Sequence, residues 1–455
     1  MSARLVIFLI FLAAGNEPCA HRGWSERGVA AELRAGEEGR VVSRIAFGSC
    51  ANQNASQPIW SAINEFDPQL FIWLGDNIYG DNKRPPRVFG KERTIGPWKN
   101  VPVFFPASEK ELRERYRLQK SKPGYSNLRR RAQVIGTWDD HDYGLNDAGK
   151  EFSGKNITQK LLLDFLDEAP DSPRFRQAGV YASYLFGPKG KQIKVILLDT
   201  RYHRDPIRSD GSILGEIQWA WLDKELRSPA TQITIIGSSI QVISNLSATT
   251  APLFHMECWG RFPKERRRLF ELIEKSNRSR VVFISGDVHY AEITRYDCAT
   301  GYPLYDVTSS GITQGVEKVV PSLAFLVRLA ALVTPATVRV YNSKCRYKSC
   351  TYGMPNFGAI EVDWDATPQT LRLEARDSNG DPVLGVSIPL SDLQVSANSI
   401  RHRDCILEVN LPWILRRRLS ILVFVSITVF LMLLIVLVCI IISLANRLLR
   451  KCKID

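Results

Sequence analysis

Metal-binding donor atoms cluster in four short segments of this chain, each directly after an apolar run of strand length. The segments are FGSC at 47–50, LGDNIYGD at 74–81, WDDHD at 138–142 and SGDVH at 285–289. Carboxylates as dense as those of 139–142 repel one another unless a cation neutralises them. Carboxylate oxygens suit hard cations, whereas thiolate and phenolate suit ferric iron or another transition ion. The residue types therefore predict a mixed metal site.

Each segment taken alone also has an ordinary structural explanation. Cys50 fits a buried core thiol, and Asp76 fits a turn residue that caps the next helix. Asp287 with His289 fits a capping carboxylate beside a surface imidazole. The metal interpretation is favoured because polar side chains follow buried strands again and again along the chain.

The apolar runs predict the strands of an α/β sheet that would position these donors. Ligands bind at the carboxyl ends of the strands in such sheets, so the donors are expected to meet at one edge. Strands are predicted at 44–48, 70–74, 134–137, 193–198, 233–236 and 281–284, and helices at 58–66, 109–118, 156–165, 214–226 and 264–275. Shorter runs after 305, such as 357–364 and 370–374, predict a second sheet packed on the first.

Both ends of the 455-residue chain have the composition of targeting segments. Residues 1–20 carry Arg4 before a short apolar run and are typical of a signal peptide, with an uncleaved anchor or a buried strand as alternatives. Residues 420–445 are almost wholly apolar and uncharged, which predicts a transmembrane helix over 419–446. A stalk at 396–418 and a cytosolic tail at 447–455 complete a single-pass type I arrangement in the secretory pathway or at the cell surface.

The net charge indicates the kind of partner, the sequons indicate the compartment, and the cysteine spacing suggests disulfides. The net charge of +13 suits anionic substrates or lipid headgroups, and no aromatic interleaving accompanies the basic clusters, so nucleic acid is not expected as a partner. Sequons at Asn54, Asn156, Asn245 and Asn277 fit a glycoprotein with a lumenal body. Cys345 with Cys350 and Cys258 with Cys298 are candidate disulfides, although spacing alone leaves the connectivity open.

Six blocks in order resemble the PhoD family of metallophosphatases (alkaline phosphatase D) over 44–311. They are FGSC, DPQLFIWLGDNIYGD, TWDDHDYGLND, LLDTRYHRDP, LGEIQWAWLDKEL and ISGDVHYAEI. The resemblance implies a four-layer α/β/β/α sandwich of the metallophosphoesterase type at 44–395, followed by the C-terminal transmembrane helix. It also implies a site with Fe³⁺ and Ca²⁺, with Zn²⁺ as an alternative, that hydrolyses phosphate monoesters and diesters.

The resemblance also assigns roles to individual residues. Cys50, Asp76 and Tyr79 would bind the iron, with Asp76 bridging to the second metal. Asp287 and His289 would complete the metal shell.

The remaining roles rest on looser matches to the same family. Asp140 and Asn146 would contact metal or phosphate, and His141 would protonate the leaving group. Glu257 stands where the family has Asp, as a calcium ligand, and Arg261 would clamp the phosphate. Attack by a metal-bound hydroxide would follow from these parts.

Two other functions remain open from the sequence. A phospholipase or phosphodiesterase of the same fold would act on lipid headgroups, and it would be separated by comparing monoester and diester substrates in detergent. A catalytically dead adhesion or receptor glycoprotein would be separated by its metal content. The oligomeric state is also left open.

Overall fold

The computed structural model describes residues 39–84, 87–88, 91–92, 103–207, 209–319, 324–395 and 405–451. The strands are, in chain order, β1 (Arg44–Gly48), β2 (Leu70–Leu74), β3 (Asn82–Arg84), β4 (Arg87–Val88), β5 (Lys91–Glu92), β6 (Val103–Phe105), β7 (Gln133–Thr137), β8 (Ala182–Phe186), β9 (Ile193–Leu197), β10 (Ile233–Ser238), β11 (Val281–Ser285), β12 (Ala291–Tyr296), β13 (Leu304–Ser309), β14 (Thr351–Tyr352), β15 (Asn356–Asp363), β16 (Thr370–Asp377) and β17 (Pro382–Pro389). All six strands predicted before residue 305 are present, with small shifts at their ends.

Two large sheets build the domain. The first has the order β17-β16-β15-β1-β2-β7 and the second the order β14-β12-β13-β11-β10-β9-β8. Strands β1, β2 and β7 run parallel, as do β9, β10, β11 and β13. Two small ribbons, β3 with β6 and β4 with β5, lie outside the sheets.

The prediction that the strands after residue 305 form the second sheet is wrong. β15 and β16 join the first sheet instead, where β15 pairs antiparallel with β1 and Phe47 lies opposite Gly358. The ring of Phe47 lies so close to Gly358 that any side chain there would collide with it. Because Gly358 has no side chain, β15 can pack beside β1. The second sheet is built mainly from the strands between 182 and 309.

Alternation along β2 shows how the layers are stacked. Ile72 and Leu74 point into the larger core, which also contains Ile196 and Ile235 of the second sheet. Phe71 and Trp73 point the opposite way. Their face is covered by the helices Ile59–Phe66, Glu109–Lys120, Pro123–Arg131 and Lys155–Phe165, and the outer face of the second sheet is covered by Gly215–Arg227 and Pro263–Lys275. Because side chains alternate between the two faces of each sheet, one face packs on the other sheet and the opposite face packs on helices, which gives the four-layer α/β/β/α arrangement.

A long apolar helix, Arg418–Lys451, ends the described chain. The stretch Arg418–Arg447 contains an 18-residue window with a mean hydropathy of 3.3 and is long and apolar enough to cross a membrane. Its first turn contacts the domain, because Leu419 is buried and the Ser420 Oγ donates to the carbonyl of Ala251 at 3.3 Å. The predicted signal peptide at 1–20, residues 396–404 of the predicted stalk and residues 452–455 lie outside the described residues.

The cysteine pairing differs in part from the prediction. Cys345 pairs with Cys350 as expected, but Cys298 pairs with Cys405 across 107 residues rather than with Cys258. Cys258 is a buried free thiol whose Sγ donates to the side chain of Asn245 at 3.5 Å. Asn245 is itself buried, so this sequon is inaccessible to a glycosyltransferase in the folded chain. The sequons at Asn54, Asn156 and Asn277 are exposed.

Glu408, in the segment between Cys405 and the long helix, is fully buried. Neither of its side-chain oxygens has a hydrogen bond from another described residue. Burial raises its pKa from 4.5 to about 7. Between these values the folded chain holds a proton that the unfolded chain releases, so raising the pH from 5 to 8 lowers the free energy of unfolding by about 2 to 3 kcal/mol.

We therefore expect Glu408→Gln to stabilise the protein at pH 8 far more than at pH 5. Thermal melting of the full-length variant and wild type in detergent at both pH values measures this difference. Glu361→Gln, at a partly exposed, ion-paired glutamate of β15, is the control and should not show that pattern. An equal effect of Glu408→Gln at both pH values would contradict the assignment.

Candidate active site

The metal-binding donors follow strands of both sheets. Cys50 and Asp76 come just after the adjacent parallel strands β1 and β2, and Asp287 comes just after β11 of the other sheet. Cys50, Asp76, Asp287 and His289 all have positive φ, between 48° and 71°. Such backbone costs free energy in non-glycine residues and clusters at functional sites. The local backbone is therefore strained at the positions that carry these donors.

The segment after β7 folds into a short helix, Asp140–Tyr143, that fixes the middle of the site. The carboxylate of Asp142 accepts the backbone N–H of Asp139 at 2.7 Å and that of Asp76 at 3.2 Å. Asp142 therefore joins two neighbouring strand ends. Asp142 thus has a structural role. Asp139, Asp140 and His141 instead lie near the donor atoms of the other segments.

A first group of donors contains Cys50, Asp76 and His289, whose ligand atoms lie within 4.8 Å of one another. The Cys50 Sγ lies 3.4 Å from the Asp76 Oδ2 and 3.1 Å from the Ser310 Oγ. The hydroxyl of Tyr79 lies 3.0 Å from the Nε2 of His289. Thiol, carboxylate, imidazole and phenol thus converge on one point, and this donor set suits a transition metal.

Two further groups continue from the first. Asp76, Asp140 and His141 form one, and Asp139, Asp140 and Asp287 form the other, each again within 4.8 Å. Asp76 belongs to the first and second groups and Asp140 to the second and third. The shared members make one continuous row of donors rather than three separate sites.

Burial dominates the electrostatics of this row. It raises the pKa of Asp76 to about 8 and the pKa values of Asp139, Asp287 and Cys50 well above their usual ranges. Burial also acts on Asp140, but nearby His141 and Arg201 lower its pKa to about 2. Buried carboxylates of this density ionise readily only when a cation accompanies them.

Two carboxylate oxygens in the row are open to a ligand. The Oδ2 of Asp139 and the Oδ1 of Asp140 are buried and have no hydrogen-bond partner among the described residues. Buried polar atoms are rarely left in this condition. Together with the donor types, these orphaned atoms fit bound metal ions.

The two histidines occupy different electrostatic environments. Burial lowers the pKa of His289 to about 3, so its imidazole is neutral and able to bind a metal. Burial also opposes protonation of His141, but Asp81 and Asp140 outweigh it and raise its pKa well above the usual range. The Nδ1 of His141 lies 2.9 Å from the Oδ1 of Asp81. The neighbouring carboxylates thus favour the charged form of His141.

Asn146 and Glu257, two of the remaining predicted residues, lie close to the row, and no contact among the described residues joins Arg261 to it. The backbone N–H of Asn146 donates to Asp81 at 3.1 Å, which places Asn146 beside the His141–Asp81 pair. Glu257 accepts from Arg201 at 2.7 Å and lies 3.1 Å from the Nε of Arg204. Arg261 is half-buried on a short 3₁₀ helix, Trp259–Arg261. Among the described residues its guanidinium makes no ion pair.

Sequence reasoning missed Arg201, whose side chain is completely buried. Its Nε donates to the Oδ1 of Asp139 at 2.6 Å, and its Nη1 donates to Glu257. Arg201 therefore ties a carboxylate of the donor row to the Glu257 segment. The signal was present in the block LLDTRYHRDP, where Arg201 follows two residues after a strand-end aspartate. Asp81 and Asp139 were also missed, although both lie inside recognised blocks.

The sequence is similar to known phosphatases. Residues 45–370, well over half of the chain, match the family model for PhoD-like phosphatases. The chain is 24% identical over 282 residues to alkaline phosphatase D of Bacillus subtilis (strain 168), a match that covers 54% of this chain and 45% of the relative. It thus spans about half the length of that relative.

One solved structure supports the fold. The structure of PhoD aligns with a TM-score of 0.55 at 16% identity, covering 78% of this chain and 70% of that chain. GAP50, the anchor in the inner membrane complex of Plasmodium, aligns with a TM-score of 0.42 at 12% identity over 80% of this chain and 94% of that one. From the family model and the shared architecture, we conclude that the chain belongs to the PhoD-like phosphatase family.

Proposed function

We propose that the protein is a membrane-tethered, metal-dependent phosphoesterase that hydrolyses phosphate monoesters and also accepts diesters. The observation that carries this proposal is the continuous row of buried and half-buried donors from Cys50 to Asp287, with open carboxylate oxygens on Asp139 and Asp140. Membership of a phosphatase family supports the reaction class.

The donor types suggest how metals would be shared. Cys50, Tyr79, His289 and Asp76 would hold Fe³⁺, and Asp76 would also be available to a second cation because it belongs to two donor groups. Ca²⁺ would be held by Asp140 and Asp287, with Asn146 and Glu257 as further proposed contacts, and Zn²⁺ is the alternative metal. When bound, such cations would offset negative charge on the phosphoryl oxygens and lower the pKa of water.

The chain's own side chains would perform the remaining work. His141, which contacts Asp81 and is favoured in its charged form, would donate a proton to the leaving-group oxygen. Arg201 donates to both Asp139 and Glu257 and would act as a positioning residue that fixes the distance between them. Arg261, which has no described ion pair, is our proposal for the clamp on a non-bridging phosphate oxygen.

We further propose that Arg418–Arg447 spans the membrane and that the catalytic domain lies on the lumenal or extracellular side as a glycoprotein. The length and hydropathy of the helix support the span. The two disulfides support an oxidising compartment.

Elemental analysis combined with ester assays tests the function. Full-length protein in detergent is analysed for metals and assayed on an aryl phosphate monoester and a bis-aryl diester before and after chelation. We expect stoichiometric metal, monoester hydrolysis that chelation abolishes, and recovery on adding the metal back. Metal-loaded protein that hydrolyses neither ester would contradict the proposal and favour a binding or adhesion role.

Iron bound by the phenolate of Tyr79 or the thiolate of Cys50 would colour the protein through charge-transfer absorption. We expect Tyr79→Phe to shift or remove the visible band, because the phenol is one of the two donors able to produce it. Absorption spectra of the purified variant measure the effect. Tyr143→Phe is the matched control, since Tyr143 is equally buried but its hydroxyl donates to the carbonyl of Gly149. A colourless, active zinc protein would overturn the iron assignment alone.

A further inference from the structure

The helix Ala324–Val333, with sequence AFLVRLAALV, is unusually exposed for its composition. Apolar helices of this length are typically buried in a core or lie at a membrane interface. None of its residues is buried, and Phe325 is 72% exposed. A core role is therefore excluded for this helix within the described part of the chain.

The exposed apolar side chains lie on one face. Phe325, Leu326, Leu329 and Leu332 are all exposed, at a spacing that places them on one stripe of the helix. The single charged residue, Arg328, donates to the buried Glu317 at 2.6 Å and stacks over the ring of Tyr347 at 4.3 Å. The arginine anchors the helix to the domain, so the apolar stripe faces outward.

This helix contacts the long helix Arg418–Lys451. The long helix has buried or half-buried residues only within its first two turns and is exposed from Phe424 to Arg447, so the contact lies where the helix leaves the domain. The residues just before it, Trp413, Ile414 and Leu415, are also exposed. They are followed by Arg416, Arg417 and Arg418, which suit the headgroup region of a bilayer.

We propose that the apolar stripe of Ala324–Val333 lies in the lumenal or extracellular leaflet of the bilayer and forms a second membrane contact beside the span. This inference rests on the proposed anchoring by Arg418–Arg447. A helix with one apolar face held against a lipid surface lies in the interface plane, with that face among the acyl chains. The aromatic and aliphatic residues at 413–415 extend the same surface.

The membrane contact is coupled to the donor row through a short path. The helix Val316–Val319 carries Glu317, the partner of Arg328, and the N–H of Val316 donates to the carbonyl of His289 at 2.9 Å. The helix Val316–Val319 therefore contacts both the apolar helix and the backbone of His289, a proposed metal ligand. A fixed contact with lipid would set the height of the site above the bilayer.

Photocrosslinking of the full-length protein in phosphatidylcholine and phosphatidylserine vesicles tests the inference. A photoreactive phenylalanine analogue replaces Phe325, or Phe424 in the proposed span, which is also 72% exposed. Ile217, 63% exposed on the helix Gly215–Arg227, is the surface control. We expect lipid adducts at 325 and 424 and none above background at 217.

Each contrary result has a distinct meaning. Adducts at 424 without adducts at 325 would overturn the second contact while leaving the anchoring intact, and dimer crosslinks at 325 would identify a second copy as the occupant instead. Absence of adducts at 424 would refute the anchoring and the inference with it, whatever the ester assays show. A Phe325→Trp variant, compared with the wild type and its ten tryptophans, tests position 325 independently of analogue incorporation, because brominated lipids should quench the added fluorescence.

Discussion

Asp76→Asn is expected to reduce phosphomonoester turnover by about a thousandfold or more and to lower the metal content. Asp76 is the member shared by two donor groups, so its loss removes a ligand from both. Asparagine keeps the size of the side chain and tolerates the φ of 48° at this position, so the fold should survive. Elemental analysis, turnover and melting temperature of the same preparation measure the three quantities together.

The control for this substitution is Asp67→Asn. Asp67 also has a left-handed backbone, with a φ of 51°, but it is exposed and pairs with Arg44 and Arg131 at the end of a helix. We expect near-normal metal content and turnover there. An Asp76→Asn variant with full metal and wild-type turnover would remove Asp76 from the proposed site.

Cys50→Ser should strip metal and reduce turnover by orders of magnitude if the thiol is an iron ligand. Serine offers a much weaker ligand for ferric iron at the same place. If Cys50 only packs in the core, the change should lower the free energy of unfolding by about 1 kcal/mol and leave activity largely intact. The two explanations therefore differ in metal content and turnover rather than in stability.

Cys258→Ser supplies the comparison within the same chain. Both cysteines are free and buried, so both substitutions place a hydroxyl in a buried position. Cys258 lies next to Asn245 and belongs to none of the donor groups. We expect its variant to lose some stability and no metal. Equal behaviour of the two variants would end the ligand hypothesis for Cys50.

Local pattern was sufficient for most of the secondary structure and for gathering the donors. The apolar runs before Cys50, Asp76 and Asp287 are strands, but Asp287 follows β11 of the second sheet. The donors therefore meet between the strand ends of two sheets rather than at one edge of a single sheet. The roles assigned to them remain proposals. Periodicity could not predict which strands pair. β15 is buried on both faces, and it can lie beside β1 only because Gly358 has no side chain.

The contacts that sequence reasoning missed are long-range. Arg201 meets Asp139 across 62 residues and Glu257 across 56, and Cys298 meets Cys405 across 107. Nothing in a local window specifies such pairs, since they depend on how the two sheets and the C-terminal segment pack. Arg261 was chosen for the phosphate by family resemblance, whereas the arginine that contacts the carboxylates is Arg201.

The disulfide between Cys298 and Cys405 determines how the domain can be shed from its anchor. The chain leaves the last strand of the domain at Pro389, passes through residues 396–404 and reaches Cys405 before the long helix. A protease that cuts once within 396–404 would leave the domain tied to the helix by the disulfide. Release would require reduction of that bond or a cut after Cys405. A nicked but retained form should therefore separate into two pieces only under reducing conditions.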